Sequence, residues 1–450
     1  MPNCTQPAAA LQLFFDFPGI KKIVGAFDGP ELSSDGGLVL TTAADEKYGI
    51  CKSIANCLVD PRDSSKVQFT YEELIKQRIN MIITGNEDLN DADRLYADRM
   101  HKIAAGRNPE TDFDLASDST LERLETNRFA EEMDALDDLL VQSWIKQQRR
   151  IPNMITIDMD GTDGETHGSQ QLSMFHPYYG HPCYQPLFGF IGSFPIIAKL
   201  RAGTVEPADG SLDALRNAVK ILRKAYPKLQ ITLRADAGFA RPEIYEFCER
   251  NKITYYIGLP SNFRLSSLTD YLRSIVKRQC LDLYGRENAQ EHELVRVVQD
   301  TSYAAESWLK RRRVIARCDL TQDGIEFRYV VTNARGGRAQ WIYEEKYCKR
   351  AQCENYIKEL KSLKCDRLSC HEFNANRFRL LMHTFAYIIL HTVRGACPWS
   401  ERESTFTTIR LRFIKVAVRI KETARRVLLS WPSSYPAQAA FAEAYARLTS

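Results

Sequence analysis

Tyr347, Arg350, Glu354 and Lys361 recur as Tyr-x2-Arg-x3-Glu-x6-Lys in the last third of this 450-residue chain. On an α-helix advancing about 100° per residue, the four project from one stripe roughly 60° wide, and Lys358 joins them. Cys353, Tyr356, Leu360 and Leu363 fall on the other side and form an apolar docking face. One carboxylate therefore sits among three cations and a phenol. That combination suits an acid that holds a metal beside a phosphate backbone, with the Lys and Arg side chains taking phosphate oxygens. A plainer reading is also open, because Glu354 and Lys358 have the i,i+4 spacing of a solvated ion pair.

Two further acids end strand-like segments. Met154 to Gly161 alternates, with Ile155, Ile157 and Met159 on one face and Thr156, Asp158 and Asp160 on the other. Strand-like runs follow at 184–191 and 195–201. A helix is expected over 212–226, a strand over 230–235, a helix over 242–251 and a strand over 253–259. Strands alternating with helices predict an α/β sheet with at least one parallel portion. Asp236 directly follows its strand and leads into Gly238, the place where such folds carry chemistry. Asp160, Asp236 and Glu354 together could hold two divalent ions about 3.5–4 Å apart. Carboxylate oxygens suit Mg²⁺ or Mn²⁺. Asp158 shares a face with Asp160 and is the alternative first ligand. His167 and His181 could assist proton transfer, though structural hydrogen bonding is the simpler use. Cys348, Cys353, Cys365, Cys370 and His371 have zinc-like spacings, but Cys348 and Cys353 stand about 140° apart on the helix the acidic motif requires.

These residues need a scaffold, and the rest of the chain supplies candidates. Residues 1–148 read as a mainly helical domain after an extended, Gly- and aromatic-rich start, with helices expected at 41–48, 71–84, 91–104, 119–125 and 129–147. Residues 149–259 carry the first part of the α/β core. Residues 260–340 read as a β-containing insertion, with strands at 314–318 and 326–332 around an Asp323-Gly324 turn. Residues 341–430 return to the core, with an apolar helix over 374–394 and a basic amphipathic helix over 407–429, and 431–450 form a tail. Charge is graded along the chain. Residues 1–150 hold 17 Lys and Arg against 26 Asp and Glu, whereas residues 301–450 hold 27 against 14. A polyanion would be gripped by the C-terminal third. No apolar run approaches the ~18 residues of a membrane span, no basic signal-peptide start is apparent, and twelve scattered cysteines point to a reducing compartment rather than a disulfide scaffold.

Several segments carry a resemblance: Asp35 to Leu40 (DGGLVL), Asp60 to Asp63 (DPRD), Glu87 to Asp91 (EDLND), Asp118 to Arg123 (DSTLER), Ile157 to Thr162 (IDMDGT), Thr166 to Gly168 with Tyr178 to Gly180, Arg234 to Glu243 (RADAGFARPE), and Tyr347 to Lys361. Through them the chain resembles an insertion-sequence transposase of the Asp-Asp-Glu class, in the group with a Tyr-Arg-Glu-Lys signature and close to the family numbered thirteen-eighty. The likeness runs from about residue 35 to 430. It implies an RNase H-like core with a β-rich insertion, a helical N-terminal domain that helps bind terminal inverted repeats, and a helical C-terminal region. It assigns Asp160, Asp236 and Glu354 to the metal and Tyr347, Arg350 and Lys361 to DNA, and Lys358 lies on the same stripe. It further implies two Mg²⁺ or Mn²⁺ ions, double-stranded DNA as partner, a homodimer on that DNA, and a bacterial, cytoplasmic, nucleoid-associated protein with no membrane partner. In related transposases the insertion supplies an aromatic that stacks on a flipped base. Trp308 or Trp341 would be that residue here, with core packing the alternative. Asp160 is followed by Gly-Thr where the family has Ala-Thr. Two rivals are a non-cutting DNA-binding relic and an RNase H-like nuclease without strand transfer.

Overall fold

A computed structural model of the protein describes residues 11–450. Helices α1 (Leu38–Tyr48), α2 (Tyr71–Thr84), α3 (Asp118–Thr126) and α4 (Ala130–Lys146) make up most of the N-terminal part. Local chemistry fixes the ends of α2. Thr70 and Glu73 form a reciprocal capping box at its start, and Gly85 at φ +87° closes it in the left-handed region. The helix expected over 91–104 is broken instead. Asp98 leaves helical geometry and accepts hydrogen bonds from the Met100 and His101 amides, starting a second short helix at Arg99.

The central sheet begins with β1 (Met154–Gly161), β2 (Leu187–Ile191) and β3 (Phe194–Lys199). Helix α5 (Ser211–Ala225) crosses to β4 (Gln230–Ala235), and α6 (Pro242–Arg250) crosses to β5 (Thr254–Leu259). Then come α7 (Tyr271–Tyr284), β6 (Val295–Tyr303), β7 (Arg312–Thr321) and β8 (Gly324–Thr332). The strand order is β6-β7-β8-β5-β4-β1-β2-β3. β4 runs parallel to both β1 and β5, and every other neighbouring pair is antiparallel. Parallel neighbours need long crossovers, and α5 and α6 provide them.

Residues 260–340 differ from expectation in how they attach. Their strands continue the central sheet, because β8 pairs with β5 from Tyr256 opposite Thr332 to Leu259 opposite Tyr329. α7 packs on β6 and β7. β6 and the helices Phe263–Thr269 and α7 are additions to the sequence reading.

Helix α8 (Gln352–Ser362) carries Glu354 and docks through Cys353, Ile357 and Leu360, all buried. Helix α9 (Phe373–Ala396) is apolar nearly all round and is accordingly central, touching α1, α2, α3, α4 and β3. The apolar faces of the N-terminal helices and of the sheet thus share one core with α9.

The C-terminal region is corrected most. Instead of a basic helix over 407–429, short helical turns end at Ile414 and a hairpin follows, Val418–Thr423 against Arg426–Ser430, with Leu32–Ser33 on its other edge. Val418 and Ile420 are buried while Arg419 and Lys421 face solvent, a period of two that the basic composition masked. Helix α10 (Gln438–Thr449) closes the chain against α1 and α9. No helix is long and apolar enough to cross a membrane among the described residues.

Candidate active site

Asp160 and Asp236 reach the same end of the sheet because of register. β4 lies beside β1 with Arg234 opposite Asp158 and Ala235 opposite Met159. The next step along both strands sets Asp236 beside Asp160, on strands about 4.8 Å apart. Each carboxylate keeps one oxygen on backbone: Gly161 N–H donates to Asp160 at 3.0 Å, and Gly238 N–H donates to Asp236 at 2.8 Å. The other Asp160 oxygen accepts from Arg350 at 2.8 Å. Burial pushes the Asp160 carboxyl up to about 6; Arg350 opposes this, and Asp236 and Glu354 add to it. These three acids therefore feel one another.

The segment bearing the rest is not one regular helix. Ile342–Tyr347 has π-helical and Cys348–Ala351 3₁₀ hydrogen bonding, and α-helical geometry begins only at Gln352. Uniform 100° steps therefore do not describe Tyr347 and Arg350, although Cys353, Leu360 and Leu363 are buried as the docking face requires. Local widening and tightening of a helix of this kind re-aims side chains and often accompanies functional sites. Arg350 joins Asp160 to Glu354, donating to Glu354 at 3.1 Å. Tyr347 packs its hydroxyl over Gly258 of β5, where a Cβ would come within 2.7 Å of that oxygen and of the Ala237 nitrogen. Burial raises the Tyr347 phenol, Arg350 lowers it, and Asp236 raises it, so Tyr347 also borders the acidic floor.

Beneath the floor lies a second layer. Asp158 is buried and held by both sides of the Arg234 guanidinium at 2.5 and 2.6 Å, so it is already neutralised. Arg234 also donates to the Lys346 carbonyl at 3.0 Å, immediately before Tyr347. Beyond Asp160, Lys361 pairs with Asp163 at 2.9 Å, and His181 stands 3.4 Å from the other Asp163 oxygen. Arg201 is buried and donates to the Gln185 and Asp209 carbonyls at 2.8 and 3.1 Å; burial lowers its pKa to about 10. Sequence reasoning passed over Arg234, Asp163 and Arg201 as partners. Arg234 had a visible signal, standing two residues before Asp236 on the same strand face; Asp163 had none, because its partner Lys361 is remote in sequence.

Not every proposed residue gathers here. Lys358 is exposed and lines a separate cavity of about 670 Å³ with Glu359, Arg394 and Arg402. Lys361 stands with Asp163 rather than with Glu354. Trp308 packs edge-on to Tyr245 and Tyr303, each at 5.4 Å, so packing is its role, while Trp341 is 45% exposed with the Lys346 ammonium 4.6 Å above its ring. His167 is exposed. Cys353 is buried with its thiol 3.9 Å from the Asp158 carbonyl.

Carboxylate oxygens are the ligand type that a hard divalent cation takes, and Asp160, Asp236 and Glu354 lie within electrostatic reach of one another. As the side chains stand, no three His, Cys, Asp or Glu among the described residues are grouped closely enough to hold one ion. Glu354 is engaged by Arg350 and is half-exposed rather than closed onto the two aspartates.

The family described as "Transposase DDE domain group 1" matches residues 16–450. No curated protein matches. Among solved structures, the chain is similar to the one titled "Cryo-EM structure of piggyBac transposase synaptic complex with hairpin DNA", at 12% identity and a TM-score of 0.38, covering 86% of this chain and 83% of that one. The family match spans nearly the whole polypeptide and is the ground for assignment. The chain belongs to the DDE transposase family, and it is a metal-dependent DNA transposase, an enzyme that cleaves DNA and transfers it.

Proposed function

We propose that this transposase cuts at the ends of an insertion sequence resembling family thirteen-eighty and joins the freed 3′-hydroxyls to target DNA. In this reading residues 149–259 and 341–430 form an RNase H-like core, 260–340 its insertion, and the helices before 148 help bind the terminal inverted repeats. The observation that carries it is the register that brings Asp160 beside Asp236 at the ends of parallel strands, with Arg350 linking Asp160 to Glu354. The meander β1-β2-β3 followed by β4 and β5 parallel to β1 supports the RNase H-like reading.

Asp160, Asp236 and Glu354 would hold two Mg²⁺ or Mn²⁺ ions, which when bound activate the attacking oxygen and stabilise the leaving one. With a pKa of about 6, Asp160 is ionised at pH 7.5 and available as a ligand. Arg350 bonds both Asp160 and Glu354, and once released from them its guanidinium would take a phosphate oxygen beside Tyr347. Lys361 lies along the same edge and takes a further phosphate once released from Asp163. Double-stranded DNA, both terminal repeat and target, is the partner, engaged by a homodimer. Binding weakens steeply with salt through the basic C-terminal third.

Replacing Asp236 with Asn should abolish Mg²⁺-dependent nicking of end-containing DNA while leaving end affinity within about threefold, read by gel shift. Cleavage retained by D236N would remove Asp236 from the site. Joining of a pre-cut 3′ end to plasmid separates a transposase from a simple nuclease.

A further inference from the structure

Residues 11–27 read LQLFFDFPGIKKIVGAF and fold into an antiparallel hairpin, Gln12–Phe15 against Ile23–Ala26, with Phe14 opposite Val24 and Phe15 opposite Ile23. Among the described residues this ribbon joins no other sheet, so the outer edge of each strand carries unpaired backbone groups. Both of its faces are apolar and open: Phe14 and Val24 are 74% and 55% exposed on one, and Phe15 and Ile23 are 41% and 40% exposed on the other. Phe17 in the turn and Phe27 beyond the second strand are 51% and 79% exposed. A two-stranded ribbon is marginal alone in water, and one greasy on both sides has no inner face of its own to bury.

The base of the ribbon is fixed. After Gly29-Pro30, Glu31 pairs with Arg99 at 2.9 Å and Leu32–Ser33 joins the C-terminal hairpin. The arm therefore projects from a defined point. Its only charged residues are Asp16, Lys21 and Lys22, a balance of +1, too little to grip a polyanion. At these exposures, four phenylalanines and their aliphatic neighbours offer on the order of 800 Å² per copy. Two such surfaces together reach the ~1,600 Å² of a standard stable interface. A free antiparallel edge can also pair with its own copy across a twofold axis, giving the isologous contact most dimers use.

We propose that residues 11–27 are a dimerisation arm whose apolar faces and free strand edge are covered by a second copy of this chain. The proposal deepens the homodimer reading above by naming its surface, and it requires no DNA. Sedimentation velocity on the full-length protein at micromolar concentration should give twice the 51.5 kDa chain mass. The double variant Phe14→Asp/Val24→Lys should sediment at the single-chain mass while keeping the wild-type far-ultraviolet circular dichroism, since the arm lies outside the core. The milder Phe14→Ser should weaken dimerisation at least about tenfold. A double variant that stays dimeric would exclude this surface while leaving the homodimer reading standing. A wild-type protein of single-chain mass both with and without end DNA would overturn both. A monomeric wild type whose double variant loses end-DNA affinity would overturn the proposal in favour of a DNA-contacting arm.

Discussion

Arg234 bonds two elements with one planar group. Its bidentate grip on Asp158 ties β4 to β1 directly under the Asp160 and Asp236 pair, and its remaining nitrogen fixes the Lys346 carbonyl, hence the turn presenting Tyr347 and Arg350. A lysine keeps the charge, but its single ammonium cannot reproduce the fork and reach the carbonyl as well. Arg234→Lys should therefore retain most of the thermal stability and bind end DNA within about threefold of wild type, while single-turnover cleavage falls about 100-fold, the scale of an ångström-sized misplacement. Cleavage and stability falling together would instead make Arg234 a purely structural residue. Asp158 illustrates the same logic from the other side. Its sequence position made it interchangeable with Asp160, yet both of its oxygens are taken by one guanidinium.

The signature segment shows how an element can keep its residues and change its geometry. Docking of Cys353, Ile357 and Leu360 is what an amphipathic helix predicts, whereas the π and 3₁₀ turns before it bring Tyr347 and Arg350 to the floor by another route. Gly258 makes that approach possible, because β5 must leave room for the Tyr347 hydroxyl and the Ala237 backbone at once. Gly258→Ala should shift both, costing about 1–3 kcal/mol in denaturant unfolding as an overpacked site does. Nicking should drop further than that loss explains at temperatures where the variant is fully folded. Nicking at the wild-type rate would show that Tyr347 need not sit there.

Across the whole molecule, buried charge ties the ends of the chain together. Glu125 on α3 is fully buried between Arg78 of α2, at 2.6 Å, and Arg379 of α9. Burial opposes its charge, but the two arginines outweigh that and hold its pKa below the usual carboxylate range. Glu125→Gln would leave two guanidiniums without a counter-ion, and urea unfolding should show a loss of about 3–5 kcal/mol. A change under 1 kcal/mol would mean solvent reaches the pair on substitution. Asp35 plays a parallel part. It pairs with His101 at 3.1 Å and Lys415 at 2.8 Å, while Gly36 and Gly37 donate to the Val416 and Ile414 carbonyls. Asp35-Gly36-Gly37 is thus a buried seam between the N- and C-terminal parts of the polypeptide, and a Cβ at Gly37 would come within 1.8 Å of the Phe413 carbonyl oxygen.

Strong local signals were enough for much of this. Alternation defined β1 to the residue, amphipathic periodicity outlined α2, and an apolar run outlined α9, because each depends on neighbours within a few positions. The positions of Asp160 and Asp236 at strand ends and of Glu354 on a helix were likewise legible from local pattern. What waited for the tertiary structure was partnership. Strand register set Asp236 beside Asp160, Arg234 claimed Asp158, Lys361 went to Asp163, and Lys358 turned to another cavity. The stretch after Phe406 became a hairpin despite its basic composition because Val418 and Ile420 found a core to enter and Leu32–Ser33 an edge to pair with. Periodicity is written into the chain at short range, whereas the pairing of charges and edges is decided by which distant segments burial forces into contact, and sequence spacing carries no information about that.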